Sequence, residues 1–496
     1  MRLGRPTTIV LMLLGWAVLG LTSDTVRAQA VRGPGGGELV VGPQDYLSEE
    51  HRREIKKEID RNISILRAEG KLGDVREAGV LFQWPVRAAG GLSVFDFHGI
   101  SNFVDQNPSY PNFLLDYECG ARTYDLSNSY NHRGTDIFTW PFPWLRMAAD
   151  QIEVVAAAPG TIILKQDGYF DRNCSFNSEP WNAVYVRHAD GSVAWYGHLK
   201  VGSLTTKLIG DPVEAGDYLG VVGSSGSSTG PHLHFEVWDA LDNLIDPFQG
   251  ACNSLNPDSW WANQRSYYDS AVNQITTGRL APDFGSCPGS ETPNAQSVFD
   301  PGALIFFTTY YHDQRSGQTS QYSIHRPDGS TYSSWSHSST ESHYAASYWY
   351  WWINFPASAP SGTWRFDVQY QGRWYRHYFS MGSSFGAGGI PNEAPLIVDR
   401  AADGDLHLSW GASCLFSDQD YEIYEGSLGA YYSHYRLHCT TAGLTSKAIT
   451  PDLGDTYYLV VPRNTAHEGS YGNDGAGSPR PAAADACVPQ VVDVCP

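Results

Sequence analysis

Apolar and polar residues alternate along most of the chain with the two-residue period of strands, and one stretch near the N-terminus departs from it with a helical period. From Ser48 to Leu66 the apolar residues Ile55, Ile59, Ile63 and Leu66 recur at helical spacing. Ser48 is placed to cap the first turn, Glu49 and Glu50 complement its dipole, and Gly70 stands just past the end. This predicts a helix, either packed on a neighbouring domain or carried by a removable inhibitory segment.

From about Val80 the pattern is strand and turn. In WNAVYVRHADGSVAWYGHL, Val184 to Arg187 and Val193 to Tyr196 are the arms of a hairpin turned at Asp190-Gly191. VVAAAPGTIIL and VEAGDYLGVVGSSG add short apolar strands punctuated by Gly and Pro. Further on, Trp364, Phe366, Val368 and Tyr370 alternate with polar residues and Gln371-Gly372 turns the chain back, as in a sandwich. The run SYWYWWINF reads as an aromatic ladder in a sandwich core or between domains, with a sugar-binding platform as the alternative. GAGGIPNEAP reads as a linker, and DLHLSWGASC, DYEIYEG and TYYLVV as strands of a last unit. The expected fold class is mainly β.

Chemistry enters with GPHLHFEVW. In an extended stretch His232, His234 and Glu236 share one face while Leu233, Phe235 and Val237 share the other. A lone H-x-H is weak, because most histidines are structural hydrogen-bonding groups. However, NHRGTD supplies His132 and Asp136, and WYGHL supplies His198, which by alternation falls on the face of Ala194 and Tyr196. Catalytic zinc takes three protein ligands and keeps a fourth position open, a requirement that two histidines and one aspartate meet. Remaining histidines then serve proton transfer or an oxyanion. Glu236 is either a partner of these histidines or a surface residue, Tyr196 a groove or a packed aromatic, Asn131 a neighbour that contacts metal in a latent state or a polar residue with other uses, and His188 a solvated turn residue.

At 496 residues the chain is expected to hold about three domains. Its formal charge of −20 excludes nucleic acid or an anionic membrane surface as the main partner, and gives no electrostatic pull towards anionic wall polymers. Arg2, Arg5, the apolar run from Ile9 to Leu21 and Ala28-Gln29-Ala30 form a secretory signal with expected cleavage after Ala30. No later run approaches the ~20 apolar residues of a membrane span. The mature chain is expected to be secreted or periplasmic. Eight cysteines fall into two sets of four without a C-x-x-C pair, which points to disulfides within each half and away from a thiolate zinc site. The expected pairs are Cys119 with Cys174, Cys252 with Cys287, Cys414 with Cys439, and Cys487 with Cys495.

HRGTD, YGHL and GSSGSSTGPHLHFEV together resemble the motifs of the lysostaphin/LytM-type zinc metalloendopeptidases, over roughly Val86 to Gln249. The resemblance implies one zinc ion per chain held by His132, Asp136 and His234. It gives His198 and His232 catalytic roles in stabilising the tetrahedral intermediate and moving protons. It also implies a small antiparallel β-sheet with a groove across it, and hydrolysis of peptidoglycan cross-links by zinc-bound water. A secreted endopeptidase acting on Gly-rich extracellular proteins is the alternative enzyme, and a non-catalytic adhesion or carbohydrate-binding protein the alternative class. Residues 393–475 resemble a fibronectin type III-like module. The expected organisation is a signal peptide at 1–30, an N-terminal helical segment at 31–83, the metallopeptidase domain at 84–288, a β-sandwich at 297–382, the fibronectin type III-like domain at 393–475, and a tail at 476–496.

Overall fold

The computed structural model describes residues 31–39, 42–75, 79–90, 92, 94–289, 291–382, 386–391, 394–401, 404–415, 417–451, 454–475, 477–493 and 495. The expected signal peptide lies outside the described residues. Among those described, the regular elements are strands apart from two helices, Glu49–Ala68 and Pro143–Ala148. The first helix forms where its period predicts. Ser48 Oγ accepts the His51 N–H at 3.1 Å, and Gly70 follows the end with a φ of 71°.

An antiparallel sheet occupies the first half of the chain, with the strands His98–Asn102, Thr135–Thr139, His232–Trp238, Val193–Gly197, Ala183–Arg187, Gly160–Gln166 and Pro212–Val213 side by side. Every residue of His232–Trp238 is buried, so both faces of the sheet are covered. On one face Leu233, Phe235, Val237, Ala194, Tyr196 and Val184 pack with Phe82, Phe248 and Trp261. On the other, Tyr185, Trp195 and Trp238 meet Leu47 and the apolar stripe Ile55, Ile59 and Leu66 of the first helix. Burying each of these aliphatic side chains contributes about 1.5–3 kcal/mol, which holds the helix on the sheet although its outer face is charged.

A sandwich follows. Its two sheets run Arg32–Leu39, His343–Asn354, Leu304–Arg315, Ala271–Gly278, and Val298–Phe299, Arg373–Met381, Gly362–Tyr370, Thr319–His325, Thr331–Ser338. Residues of both sheets, including Val272, Phe307, Trp351, Tyr322, Trp364 and Phe366, form one core. The sandwich therefore takes strands from either side of the boundary expected near 288–297, and from the Gly-rich start. A register shift between Val272 and Gln274 breaks the alternation that would have marked the first of these. The second, RGPGGGEL, falls within the expected N-terminal helical segment, yet it is a strand over the aromatic strand: a Cβ on Gly35 would stand 2.2 Å from the Tyr350 ring and one on Gly37 2.7 Å from Tyr348. In SYWYWWINF, Trp351 and Ile353 enter the sandwich core while Tyr348 joins Trp140, Phe142, Phe284 and Tyr310 between sandwich and sheet, so the run is a packing ladder. Across the same contact the buried Arg122 guanidinium donates to Asp313 at 2.8 Å.

The last unit has two three-stranded antiparallel sheets, Ile397–Arg400, Leu406–Ser409, Ser446–Ile449 and Tyr435–His438, Asp420–Ser427, Thr456–Arg463. Its tail turns back, with the Ala387 N–H donating to the Val491 carbonyl at 2.7 Å. Disulfides stay within each half, but all four partners differ from those expected: Cys119–Cys252, Cys174–Cys287, Cys414–Cys495 and Cys439–Cys487. Short spacing favoured neighbouring cysteines, whereas strand order brings distant ones together. Four disulfides are consistent with an extracytoplasmic location.

Candidate metal centre

The pairing of Thr135–Thr139 with His232–Trp238 sets Asp136 opposite His234. His132 precedes that strand, and Gly134 lets the loop close onto it: a Cβ there would lie 2.6 Å from the His234 ring and 2.9 Å from the Phe235 carbonyl. His132 Nε2, Asp136 Oδ1 and His234 Nδ1 consequently lie 3.1, 3.0 and 3.4 Å from one another. Ligand atoms about 2.0–2.1 Å from a tetrahedral ion are separated by about 3.3 Å, so these three fit one metal. All three residues are fully buried.

The unused ring nitrogens fix which lone pairs face inwards. His132 Nδ1–H donates to the Phe103 carbonyl at 2.7 Å, and His234 Nε2–H to Glu236 Oε2 at 3.0 Å. Glu236, 1% exposed, is held in turn by the Trp238 indole N–H at 2.6 Å and by the Arg52 guanidinium. It is an orienting partner and not a surface residue.

His198 and His232 stand beside this trio with their rings 4.6 Å apart. Alternation put His198 on the face of Tyr196. The strand ends at Gly197, however, and His198 has a left-handed φ of 63°, which turns its ring to the opposite face. Its Nδ1–H donates to the Ser225 carbonyl at 2.6 Å, within the Gly/Ser-rich stretch before the H-x-H strand. His232 Nδ1–H donates to Gly230 O at 2.8 Å, leaving Nε2 buried, unpartnered and 3.7 Å from Asp136 Oδ1. Burial, helped by the charge of His198, depresses the His232 pKa to about 4 and keeps its imidazole neutral.

Sequence reasoning missed one residue. Asp45, fully buried and ahead of the first helix, places Oδ2 3.0 Å from His234 Nδ1 and 3.1 Å from His198 Nε2, and groups with His132, Asp136 and His234 as a potential metal-holding set. No motif marks it, because a single Asp in VGPQDYLS carries no spacing signal. Burial alone would raise the Asp45 and Asp136 carboxyls. The facing histidines outweigh it and hold both below the usual carboxylate range, as expected of a pocket built around a positive charge. His234 Nδ1 faces Asp45, Asp136 and His132 at once, and one N–H cannot serve three acceptors, whereas a cation at their centre can.

The smaller expectations divide. Tyr196 is buried, its hydroxyl accepting the Ala157 N–H at 2.8 Å in the core away from the site. His188 is 1% exposed and bonded to the Pro159 carbonyl, not solvated, because the loop before Gly160 folds over the hairpin turn. Asn131 donates to the Asn107 carbonyl at 2.6 Å and stands outside the metal-holding set.

Fold and site together define an antiparallel β-sheet domain with a buried histidine–aspartate metal centre. Residues 131–247 match peptidase family M23, and this part of the chain is an M23 peptidase domain of the LytM type, in a family that depends on metal. An uncharacterized metalloprotease of Buchnera aphidicola is 31% identical over 145 residues, 29% of this chain and 34% of the relative. The DD-carboxypeptidase/endopeptidase Mpg of Neisseria meningitidis is 49% identical over 56 residues, 11% of this chain and 12% of its own. The peptidoglycan DD-endopeptidase ShyC of Vibrio cholerae is 37% identical over 70 residues, 14% and 15% of the two chains. The chain thus spans about a third or less of the length of these relatives. A solved Pseudomonas aeruginosa structure described as a putative peptidase M23 is 20% identical and covers 44% of this chain and 73% of its own at a TM-score of 0.22.

Proposed function

We propose that the protein is a secreted zinc metalloendopeptidase that cuts peptide cross-links of peptidoglycan. The observation that carries this reading is the mutual separation of 3.0–3.4 Å between His132 Nε2, Asp136 Oδ1 and His234 Nδ1, with the unpartnered Nε2 of His232 beside them. Two imidazoles and one carboxylate suit zinc, and the names of the Neisseria and Vibrio relatives favour a wall peptide over a Gly-rich protein.

His132, Asp136 and His234 hold the metal, which supplies a Lewis acid able to polarise a peptide carbonyl and to lower the pKa of a water molecule towards ~7. His232, neutral at pH 7, accepts a proton on Nε2 and returns it to the leaving amine. His198, its Nδ1–H held by the Ser225 carbonyl, turns Nε2 into the same volume, and in its doubly protonated form donates there to the oxygen that gains charge. Trp181, 4.9 Å from His198 and 5.7 Å from His234, packs on both rings and keeps bulk water from them.

The supporting division of the chain is an export signal ending at Ala30, a catalytic sheet, a sandwich packed on it, and a fibronectin type III-like unit at 393–475, whose paired three-stranded sheets favour that assignment. The test is mass spectrometry of fragments released from peptidoglycan of known cross-bridge, by the chain before and after limited proteolysis, with and without a zinc chelator. New chelator-sensitive peptide termini are expected. No release by zinc-loaded protein in either state would overturn the reading.

A further inference from the structure

The sandwich carries a second surface with binding chemistry, on the outer side of Arg373–Met381. Trp374, Arg376 and Tyr378 alternate there with the buried Tyr375 and Phe379, so the three share the face turned away from the core. Trp374 is 55% exposed and, among the described residues, the most exposed tryptophan of the chain. A bare indole leaves a large apolar plane in water, which marks a contact surface. Register sets Gln369 directly opposite Trp374, and Gln321 opposite Gln369 on the next strand, so two primary amides run in a row from the indole.

Charge on this face departs from that of the whole chain, which is −20. Arg365 and Arg376 stand beside one carboxylate, Asp367. Arg365 Nε lies 2.9 Å from Asp367 Oδ1 and neutralises it, whereas Arg376 Nε is 3.9 Å from the same oxygen, which leaves the Arg376 guanidinium with donors for a ligand. Past Arg376 the sandwich opens. Ala271–Gly278 is last in its sheet, and the free side of Arg373–Met381 pairs only with the two-residue strand Val298–Phe299. Between them lies a cavity of about 500 Å³, lined by Gln274, Thr276, Gln296, Ser297 and Arg376 and by Phe95, itself 49% exposed. In its wall His377 Nε2 pairs with Thr277 Oγ1 at 2.9 Å, and burial holds the His377 pKa to about 4. The cavity therefore offers hydroxyls, amides and a single charge.

We infer that Arg373–Met381 carries a binding site for the glycan strands of the wall, with one sugar ring on the Trp374 indole and its neighbour reaching past Arg376 into the cavity. The inference rests on the peptidoglycan reading above, whose substrate joins peptide to glycan. A sugar ring presents C–H groups on its faces and hydroxyl and acetamido groups around its rim. It is held by an exposed aromatic plane ringed with planar amides and hydroxyls, the set that Trp374, Gln369, Gln321 and the cavity supply. Trp374 and Arg376 stand two strand residues apart, about 7 Å, so linked rings of one strand reach both. Arg376 meets the carbonyl or carboxylate oxygens of the substituents. Since the net charge gives no general pull towards the wall, attachment has to be local and specific, and this face provides it. A chain held in this way presents its metal centre to neighbouring cross-links at a raised effective concentration.

The test uses the full exported chain, titrated by calorimetry with peptide-free glycan strands of peptidoglycan and, separately, with a soluble glucan that lacks amide and carboxyl groups. Trp374→Ala, Trp374→Phe and Arg376→Ala are compared with the unaltered chain. Leu241→Ala is the reference, at an 82% exposed residue on the turn after His232–Trp238. Trp374→Ala and Arg376→Ala are expected to bind the strands roughly 10- to 30-fold more weakly. Trp374→Phe should recover part of that loss, and Leu241→Ala should bind as the unaltered chain does. Release of fragments from insoluble peptidoglycan should fall in step with strand affinity. No strand binding by the unaltered chain, or equal binding by Trp374→Ala and Arg376→Ala, would overturn the inference and leave the endopeptidase reading intact. Glucan bound as tightly as the strands would overturn the assignment to wall glycan. Strand binding that depends on Trp374, in a zinc-loaded chain that releases no peptide before or after limited proteolysis, would overturn the endopeptidase reading alone.

Discussion

Asp136 Oδ1 and His234 Nδ1 stand 3.0 Å apart because strand register places the two residues directly opposite each other. Two of the three proposed metal ligands are therefore placed by backbone pairing, and only His132 depends on a loop. A one-residue slip of that pairing would send His234 to the hydrophobic face and destroy the centre outright.

Replacing either end of this relationship tests the proposed ligand set. Asp136→Ala and His234→Ala are each expected to lose stoichiometric zinc and to lower peptidoglycan hydrolysis by at least ~1,000-fold, the loss of several kcal/mol of transition-state stabilisation. Metal content by mass spectrometry, alongside the rate, checks this. Full zinc occupancy in either variant would remove that residue from the set.

Glu236 acts through His234. Glu236→Gln keeps the shape but removes the charge that orients the imidazole and neutralises Arg52, and zinc affinity should fall by roughly 10–100-fold. Competition with a chelator measures it, and an unchanged affinity would reduce Glu236 to a packing residue.

His232 should separate binding from chemistry. With its pKa near 4 and Nε2 unpartnered, it is neutral and able to take a proton. His232→Gln is expected to retain zinc while kcat falls about 100- to 10,000-fold. A parallel loss of metal would make it a ligand instead.

The C-terminal unit offers a pH test remote from the centre. The Tyr424 hydroxyl lies 2.6 Å from both Glu422 Oε2 and Glu468 Oε2, and its one proton can serve only one of them. The second contact needs a carboxylic O–H. In keeping with this, burial, followed by the hydrogen bond with Glu468, raises the Glu422 pKa from 4.5 to about 8. The folded state thus binds a proton that the unfolded chain releases. Its stabilising effect is complete below pH 4.5 and is lost as the pH climbs through about 8. Urea midpoints between pH 5 and 8 should fall with rising pH, and Glu422→Gln should flatten that slope. An equal slope in both proteins would contradict the shared proton.

The parts legible in the sequence were those with short periods. Ser48 and the Ile55, Ile59, Leu66 stripe announced the first helix, Asp190-Gly191 the hairpin, and the H-x-H alternation correctly put His232, His234 and Glu236 on one face. Prediction failed where geometry depends on a single backbone angle or on distant pairing. The left-handed φ of His198 reversed its face. A bulge hid Ala271–Gly278, and the glycines that fit beneath Tyr348 and Tyr350 fell inside the expected N-terminal helical segment. Asp45 escaped because its meaning comes wholly from where the chain carries it.

The glycine ribbon at Arg32–Leu39 also sets a timetable. Gly35 pairs with Tyr350, so this strand has no neighbour in its sheet until most of the chain has been made. The sheet bearing the histidines can assemble before that. Seating of Arg32–Leu39 waits for the aromatic strand His343–Asn354, so closing this sheet ties the leading strand to a partner made far later in the chain.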